Sequence, residues 1–242
     1  KQFNTVLWTG DGNNNRSVSG VGFKPDLLWG KRRDSADDNF IYDSNRGSNR
    51  LVTNTTSAEA DYSAYWSQFD SDGWTFGNNA SSQNISSGTF VGWCWRANGG
   101  TTASNTDGSI TSTVQTNPAG NFSIITYTGT GSNATIGHGM TKKPAFIIVK
   151  NRNDTDSWAI YHESMTADFY TSFQYSIFSN NATFWNDTEP TTSVISIGTN
   201  NRVNGSSDSL VCYAWAQEEG FQKFGKFTGN GNADGPFIYT GF

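Results

Sequence analysis

The strongest constraint on the fold is that the sequence repeats itself. The motif at residues 7–12 is "LWTGDG", and it recurs as "TYTGTG" at residues 126–131. Residues 24–33 read "KPDLLWGKRR" and recur at residues 143–152 as "KPAFIIVKNR". Both pairs are separated by the same number of positions (126 − 7 = 119 and 143 − 24 = 119). A shared offset between separate motifs predicts two copies of one structural unit.

The same register continues to the end of each copy. Trp66 and Trp185 are also 119 positions apart (185 − 66 = 119). Residues 84–95 read "NISSGTFVGWCW" and match "NGSSDSLVCYAW" at residues 204–215, at an offset of 120. The repeat therefore covers a whole unit rather than one short motif.

A third copy begins near the end of the chain. Residues 227–242 follow the same pattern as residues 8–23, with an early Thr-Gly-x-Gly and a final Gly-Phe. An isolated hairpin is only marginally stable in water. One hypothesis is that each unit borrows its closing hairpin from the next stretch of chain, residues 122–140 for the first unit and residues 227–242 for the second. The alternative is that the sequence was cut at an arbitrary point in a longer array.

These offsets predict the domain organisation. The Gly-, Thr-, Ser- and Asn-rich stretch between the copies is typical of a flexible linker. The predicted segments are a first repeat at 1–97, a linker at 98–109, a second repeat at 110–220, and a partial third repeat, the closing hairpin, at 221–242.

The composition predicts an all-β fold. Aromatic residues make up 14% of the chain and charged residues 15%, and short aromatic and β-branched runs alternate with turn residues. We predict two tandem antiparallel β-sandwich units of jelly-roll or concanavalin-like type, with a duplicated C-terminal hairpin. In the last strand of each unit, alternation places Phe90 or Leu210 on one face and Trp95 or Trp215 on the other.

Charge and hydropathy argue against two classes of partner. The net charge is −5, which is unfavourable for binding nucleic acid through its phosphates. No apolar run approaches the ~18 residues of a membrane span, so we expect no membrane insertion. Cys94 and Cys212 lie in strand-like runs, and we predict buried free thiols rather than a disulfide bridge.

The sequence shows no catalytic or cofactor-binding motif, and we expect neither an enzyme nor a cofactor or metal. His138 and His162 fall at positions where the first repeat has no histidine, and no Gly-x-Ser-x-Gly elbow is present. Asp70 and Asp72 partly match the spacing of a calcium loop, but an ordinary turn before a strand is the favoured interpretation. Lys31 and Arg33, repeated as Lys150 and Arg152, are expected to pair with turn aspartates.

A polysaccharide depolymerase is the third functional alternative, because paired carboxylates can hydrolyse glycosidic bonds. The sequence does not place any two of these carboxylates on one cleft. The candidates are Asp43, Glu59, Asp61, Asp70, Asp72, Glu163, Asp168, Asp187 and Glu189.

The candidate ligand-binding residues are aromatic. Trp66 and Trp185 recur in the variable middle of each repeat, flanked by Tyr65 and Phe184. An exposed indole can stack on the apolar face of a sugar ring while polar side chains bind its hydroxyls. The competing interpretation is that both tryptophans fill the core.

The motifs together resemble an uncharacterised repeat domain of virion structural and tail-fibre-like proteins from marine and cyanobacterial phages. The resemblance rests on "GVGFKPDLLWGKRR", "FDSDGWTFG", "VGWCWRANGG", "GHGMTKKPAFIIVKNR" and "GNGNADGPFIYTGF", and it covers nearly the whole chain. It implies a virion or extracellular β-sandwich protein, with a lectin-like sandwich as one form of it. It supplies no catalytic residues.

The expected function is therefore that of a phage virion structural protein, a tail-fibre or surface-appendage module with an adhesive, glycan-binding role in host attachment. The resemblance implies other virion subunits as partners and a homo-oligomer, with a trimer taken from the habit of tail fibres. A host surface glycan is the expected ligand. The alternative is a capsid-decorating or filament-forming scaffold subunit without a ligand.

Overall fold

The computed structural model describes residues 1–78, 82–175 and 177–241, and Phe242 of the terminal Gly-Phe pair lies outside them. The fold is all-β, as predicted, with 39% strand, 3% helix and several antiparallel sheets. Two one-turn helices are present in the described part of the chain, α1 (Ala182–Trp185) and α2 (Asn201–Asn204). None of the described helices is long and apolar enough to span a membrane.

Short strands account for most of the regular structure. In chain order they are β1 (Phe3–Thr9), β2 (Ser17–Ser19), β3 (Leu27–Arg32), β4 (Phe40–Asp43), β5 (Asn49–Arg50), β6 (Ala60–Asp61), β7 (Trp66–Asp70), β8 (Gly73–Phe76), β9 (Thr89–Trp95), β10 (Ala103–Asn105), β11 (Ser112–Thr116), β12 (Phe122–Thr128), β13 (Ala134–Gly137), β14 (Pro144–Asn151), β15 (Ala159–His162), β16 (Phe169–Tyr170), β17 (Ser179–Asn180), β18 (Val194–Ile197) and β19 (Ser209–Ala216).

Two large antiparallel sheets organise the molecule. The first sheet has the order β1-β9-β3-β4, and the second has the order β10-β11-β12-β19-β14-β15. The last four strands of the second sheet follow the same order as the first sheet, with β1 and β12 starting 119 positions apart (122 − 3 = 119). The smaller sheets are β2-β8-β7, β5-β6, β13-β18 and β16-β17.

Each large sheet buries one face against the small elements of its own half of the chain. On the first sheet, Phe90 packs with Trp8 and Trp74 in one buried cluster. On the second sheet, Leu210 and Ile195 belong to a separate buried cluster. The alternation predicted for β9 and β19 is confirmed, because the side chains of Phe90 and Leu210 face these outer cores.

The opposite faces of the two sheets pack against each other. Leu27 and Ile41 of the first sheet share a buried cluster with Ile148 and Val211 of the second. The Trp158 indole N–H adds a hydrogen bond of 2.9 Å to the carbonyl oxygen of Val52, across the same contact. Each large sheet is therefore buried on both faces, on one by its own half of the chain and on the other by the opposite sheet.

A buried charge network ties the two halves together beside this apolar layer. Arg46 donates to Asp43 at 2.6 Å and to Glu59 at 2.7 Å, and its side chain has no exposed surface. Its remaining nitrogen donates to the hydroxyl of Tyr213 on the second sheet at 3.0 Å, and that hydroxyl donates to Asp43. Arg152 of the second sheet binds both oxygens of Glu59, at 2.8 and 2.6 Å.

Replacement of Arg46 by Met is expected to lower the free energy of unfolding by about 3–5 kcal/mol, because it leaves the Asp43 carboxylate buried without its cation. The matched control is Arg202→Met. Arg202 pairs with Asp156 at the surface, and its loss is expected to cost less than about 1 kcal/mol. Urea unfolding of both variants measures the difference. Equal costs would show that the buried network contributes no more than a surface ion pair.

Acid should weaken the same network through Glu59. Burial alone would raise the pKa of the Glu59 carboxyl, but hydrogen bonds from Arg152 and the charge of Arg46 outweigh it and hold the pKa below its ordinary value. A carboxyl with a lowered folded-state pKa stabilises the fold fully above its unfolded pKa of about 4.3. That contribution is lost as the pH falls further, through the lower folded value.

Glu59→Gln is therefore expected to be less stable than the wild type at pH 7 and to lose less stability between about pH 5 and pH 3. Urea unfolding across this pH range tests the expectation. Glu219→Gln, on an exposed turn, removes the same charge outside the network and serves as the control. An identical pH dependence in the wild type and Glu59→Gln would contradict the assignment.

The stretch predicted as a flexible linker, residues 98–109, is structured. Its strand β10 pairs with β11 at the edge of the second sheet. The Asp26 carboxylate accepts the backbone N–H of Gly99 at 3.0 Å, and the side-chain oxygen of Gln115 accepts that of Gly100 at 3.0 Å. Composition reports flexibility in isolation, whereas buried acceptors from both halves hold this backbone.

The two stretches predicted as closing hairpins differ in the described structure. Within residues 122–140, β12 pairs with β19 and β13 pairs with β18, so this stretch completes the second half of the chain and not the first. The predicted closing hairpin at residues 221–242 forms no strand within its described part, and most of residues 227–241 is exposed. The equivalents β1 and β12 each pair with the last strand of their own half.

Deletion of residues 227–242 is therefore expected to change the melting temperature by less than about 2 °C, since these residues bury little surface. Differential scanning calorimetry at low protein concentration measures the change. A drop of about 5 °C or more would instead restore the hypothesis that this segment closes the second half.

The lysines at the ends of β3 and β14 do not pair with aspartate side chains as expected. Lys31 donates to the backbone carbonyl of Asp37 at 2.6 Å, and Lys150 donates to that of Asp154 at 2.8 Å. Burial lowers the pKa of Lys150 to about 8. The described ion pairs near these strand ends are Arg32–Asp34, Arg32–Asp37 and Arg152–Glu59.

Both cysteines are buried free thiols, as predicted. Cys94 lies in the outer core of the first sheet and Cys212 in that of the second. Burial raises the pKa of Cys94 to about 12 and also raises that of Cys212. Both thiols therefore act as small apolar side chains.

Candidate functional site

An open cleft lies where the contact between the two large sheets ends. It has a volume of about 350 Å³, within the usual range for small-molecule sites. We call it the aromatic cleft and define it by six side chains from three parts of the chain. They are Phe3, Trp29 and Trp95 of the first sheet, Phe146 and Trp215 of the second sheet, and Phe224 of the segment after β19.

Strand register brings these side chains together. Phe3 of β1 lies directly opposite Trp95 of β9 in the first sheet. In the second sheet, Trp215 of β19 lies between Phe146 of β14 and Phe122 of β12. Side chains directly opposite on antiparallel strands share a face and lie within contact distance, so each sheet presents one aromatic row.

The two rows meet at Trp95 and Trp215, which are 120 positions apart in the sequence. Their rings are 5.8 Å apart and meet edge to face at 66°. Phe3 extends the contact on one side, 4.9 Å from Trp95, and Phe146 on the other, 5.7 Å from Trp215. Phe224 stacks on Phe146 at 5.5 Å with an interplanar angle of 14°. The result is a continuous aromatic surface on rigid strands.

The wall that contains Phe224 is held by a polar turn. Glu218 and Gln222 exchange backbone hydrogen bonds across this turn. The Glu218 carboxylate pairs with Lys142 at 2.5 Å and accepts a bond of 3.1 Å from Asn121. These bonds, Lys142 first, lower the pKa of Glu218 below its ordinary value. The turn is therefore anchored to the second sheet and positions Phe224 over Phe146.

Two hydrogen-bond donors of the cleft residues are unsatisfied. The indole N–H groups of Trp29 and Trp215 are buried and have no acceptor. An unpaired buried N–H is costly, so each such group needs an explanation. Trp8, Trp74 and Trp185 share this property within closed cores.

The structure places the predicted ligand-binding residues elsewhere. Trp66 is 2% exposed and stacks on Tyr42 with ring centroids 4.2 Å apart. Trp185 is 1% exposed and meets Tyr161 edge to face at 6.0 Å. An exposed indole face was the requirement for sugar stacking, and neither tryptophan offers one in this structure.

The two flanking aromatics belong to the same surroundings. Phe184 is buried, with its ring stacked on Tyr170 at 3.5 Å. Tyr65 is half-buried and lies 4.9 Å from Tyr62. The four predicted residues therefore lie in or beside the two outer cores, and none of them lines the aromatic cleft.

A smaller polar pocket of about 230 Å³ lies on the first half of the chain, beside Asp37, Asp38 and Gln83. Arg50 covers the ring of Tyr62 in this pocket, with its guanidinium carbon 3.7 Å from the ring centre. Because the cation and the aromatic ring of this pocket, Arg50 and Tyr62, already pair with each other, the pocket is a weaker candidate binding site than the aromatic cleft.

Several of the candidate carboxylates make contacts within the fold. Asp43 and Glu59 approach each other only through Arg46, inside the contact between the sheets. Asp72 lies in the turn between β7 and β8, and its carboxylate accepts the backbone N–H groups of Gly20 and Gly22 from a distant loop. Across the described ranges, no group of three or more His, Cys, Asp or Glu side chains is arranged to hold a metal ion.

His138 is enclosed. Its Nδ1 accepts the backbone N–H of Met140 at 3.1 Å, and its Nε2 lies 3.3 Å from the carbonyl oxygen of Thr191. Burial lowers its pKa to about 4. His138 is therefore neutral at physiological pH and closes a backbone turn.

A signal for the aromatic cleft was present in the sequence. Alternation along "GWCW" and "CYAW" places Trp95 and Trp215 on the face opposite the outer cores. The sequence did not show that these two faces pack against each other. Trp66 and Trp185 were predicted as ligand-binding residues because they recur at a fixed offset. In the structure, both of these recurring tryptophans pack in buried cores.

Comparisons with known proteins identify the family. No curated protein and no solved structure matches the chain. One family model matches, over residues 1–242, and it is described as a domain of unknown function (DUF7483). The chain belongs to that family, and the match includes both large sheets and the segment after β19.

Proposed function

We propose that this member of the DUF7483 family is a structural module of a phage virion surface or appendage that attaches to a surface glycan through the aromatic cleft. In this proposal the chain is a tandem pair of related antiparallel sandwich units, joined through their large sheets. The observation that carries the binding role is the open aromatic surface formed by Trp29, Trp95 and Trp215. The virion setting rests on the resemblance of the sequence motifs.

The chemistry of the cleft suits a sugar ring. A pyranose has apolar C–H faces that stack on aromatic rings, while its hydroxyl oxygens accept hydrogen bonds. The cleft offers both partners, aromatic walls and the polar side chains of Gln222 and Lys223 on its lining.

The cleft is also preorganised. Its walls are strands held on both faces, and the Arg46 network fixes the two sheets beside it. A rigid site loses little conformational entropy when a ligand binds, which favours adhesion by a small contact area. A virion appendage repeats its subunits, so modest affinity per site is amplified by multivalency.

Binding is favoured over hydrolysis. Among the described residues that line the cleft, none carries a carboxylate, whereas glycoside hydrolysis requires two carboxyl groups about 5–10 Å apart. The proposed ligand is therefore held rather than cleaved. Other virion subunits and a homo-oligomer, with a trimer as the form implied by the resemblance, remain part of the proposal.

The test is binding of the purified chain to a panel of bacterial surface polysaccharides, with a reducing-end assay run in parallel. We expect saturable binding without new reducing ends. Trp29→Ala and Phe224→Ala are each expected to weaken binding about 10-fold or more, equivalent to ~1.4 kcal/mol. Phe224 lies outside the strands, so its replacement spares both sheets.

The matched control is Phe178→Ala. Phe178 is an exposed aromatic that stacks on Phe169 at 4.4 Å, away from the cleft. This variant is expected to bind as the wild type does. The absence of saturable binding across the panel, or an equal loss in the control, would refute the cleft as a glycan site. New reducing ends would favour the depolymerase alternative.

A further inference from the structure

The four outer edges of the two large sheets are not equally protected. The edge strand β4 is bridged by Leu51, and β15 is bridged by Thr171. The edge strand β10 has only three residues. The fourth edge belongs to β1, which has seven residues and no strand on its outer side in the described part of the chain. An unpaired strand of this length is a template for another strand.

The equivalent position in the second sheet is paired with another strand. Its strand β12 is the counterpart of β1, and its outer side is paired with β11. The carbonyl of Phe122, the counterpart of Phe3, accepts the backbone N–H of Asn117 on that side at 3.0 Å. The same backbone position is therefore used for pairing in one sheet and left open in the other.

Hydrogen bonds at both ends of β1 fix which of its groups point outward. The Arg96 N–H donates to the carbonyl of Gln2 at 2.9 Å, and the Gly10 N–H donates to the carbonyl of Gly88 at 2.8 Å. Backbone groups alternate in direction along a strand, so the even-numbered residues face β9. Phe3, Thr5, Leu7 and Thr9 therefore direct their N–H and C=O groups to the open side. Leu7 is also 60% exposed.

A strand-forming segment without a strand partner lies near the end of the chain. Residues 237–239 read Phe-Ile-Tyr, and Pro236 precedes them, at the position where proline is tolerated at the start of a strand. Phe237 is 91% exposed and Tyr239 is 72% exposed. Strand periodicity places these two rings on one face. We call residues 236–239 the tail strand.

We propose that the tail strand of one molecule pairs with the open edge of β1 in a second copy of this chain. Donor and acceptor are different surfaces, so the contact is head-to-tail and does not close on itself as a two-fold dimer does. Such contacts generate rings or filaments. Backbone hydrogen bonds supply the affinity, and Phe237 and Tyr239 lose exposed apolar surface on pairing.

The first test is sedimentation of the intact chain from about 1 to 100 μM, the range in which weak strand addition becomes visible. We expect the mass to rise with concentration from the monomer value of 26.4 kDa. Two variants should remain monomeric, the double variant Phe237→Ser with Tyr239→Ser, and Leu7→Pro. Leu7→Pro removes an outward N–H and spares the bonds to β9. Leu7→Lys replaces it if the proline variant fails to fold.

The decisive experiment mixes the two variants. The tail variant keeps an intact β1 edge and the Leu7 variant keeps an intact tail, so equal amounts should form a 1:1 dimer that grows no further. Phe227→Ser, another exposed aromatic outside the tail strand, should assemble as the wild type does. A wild type that stays monomeric to 100 μM, variants that still assemble, or a mixture that stays monomeric would each overturn the proposal. Glycan binding at the cleft is expected to be unchanged in all variants, which separates this test from that of the proposed function.

Discussion

The structure depends on the contact between the two large sheets. Both sheets are apolar on their two faces, so each needs a cover on the side turned away from its own outer core. Each sheet provides that cover for the other, through a layer that includes Leu27, Ile148 and Val211. The buried network of Arg46 also specifies how the two sheets align. Its hydrogen-bonding partners come from both halves, and all of them are satisfied only when the sheets are correctly aligned.

The candidate site is a consequence of where that contact stops. The aromatic rows of the two sheets are only partly covered where they meet, and the aromatic cleft remains there. Its rigidity comes from the same packing that stabilises the fold. The proposed binding surface is therefore continuous with the buried layer between the sheets. Five of its six defining side chains lie on strands, and Phe224 lies in the segment after β19.

The tail illustrates the limit of a repeated motif. Residues 227–241 share the Thr-Gly-x-Gly pattern of β1 and β12, yet they form no strand in the described structure. Each of those strands is stabilised by its pairing with β9 or β19, and both partners are already paired on both sides. A strand is a pairing between two segments. One segment with the correct pattern is not sufficient, and its exposed side chains point to assembly between molecules.

The sequence by itself determined the all-β class and the alternation that separates the two faces of β9 and β19, because these depend on local periodicity. Its offsets also marked the positions of β1, β3 and β9 and of their counterparts β12, β14 and β19. Only the tertiary structure decided that the faces carrying Trp95 and Trp215 meet, that Trp66 and Trp185 are enclosed, and that residues 98–109 are held in place. Each of these outcomes depends on contacts between residues far apart in the chain, and local patterns carry no information about which distant surface will cover them.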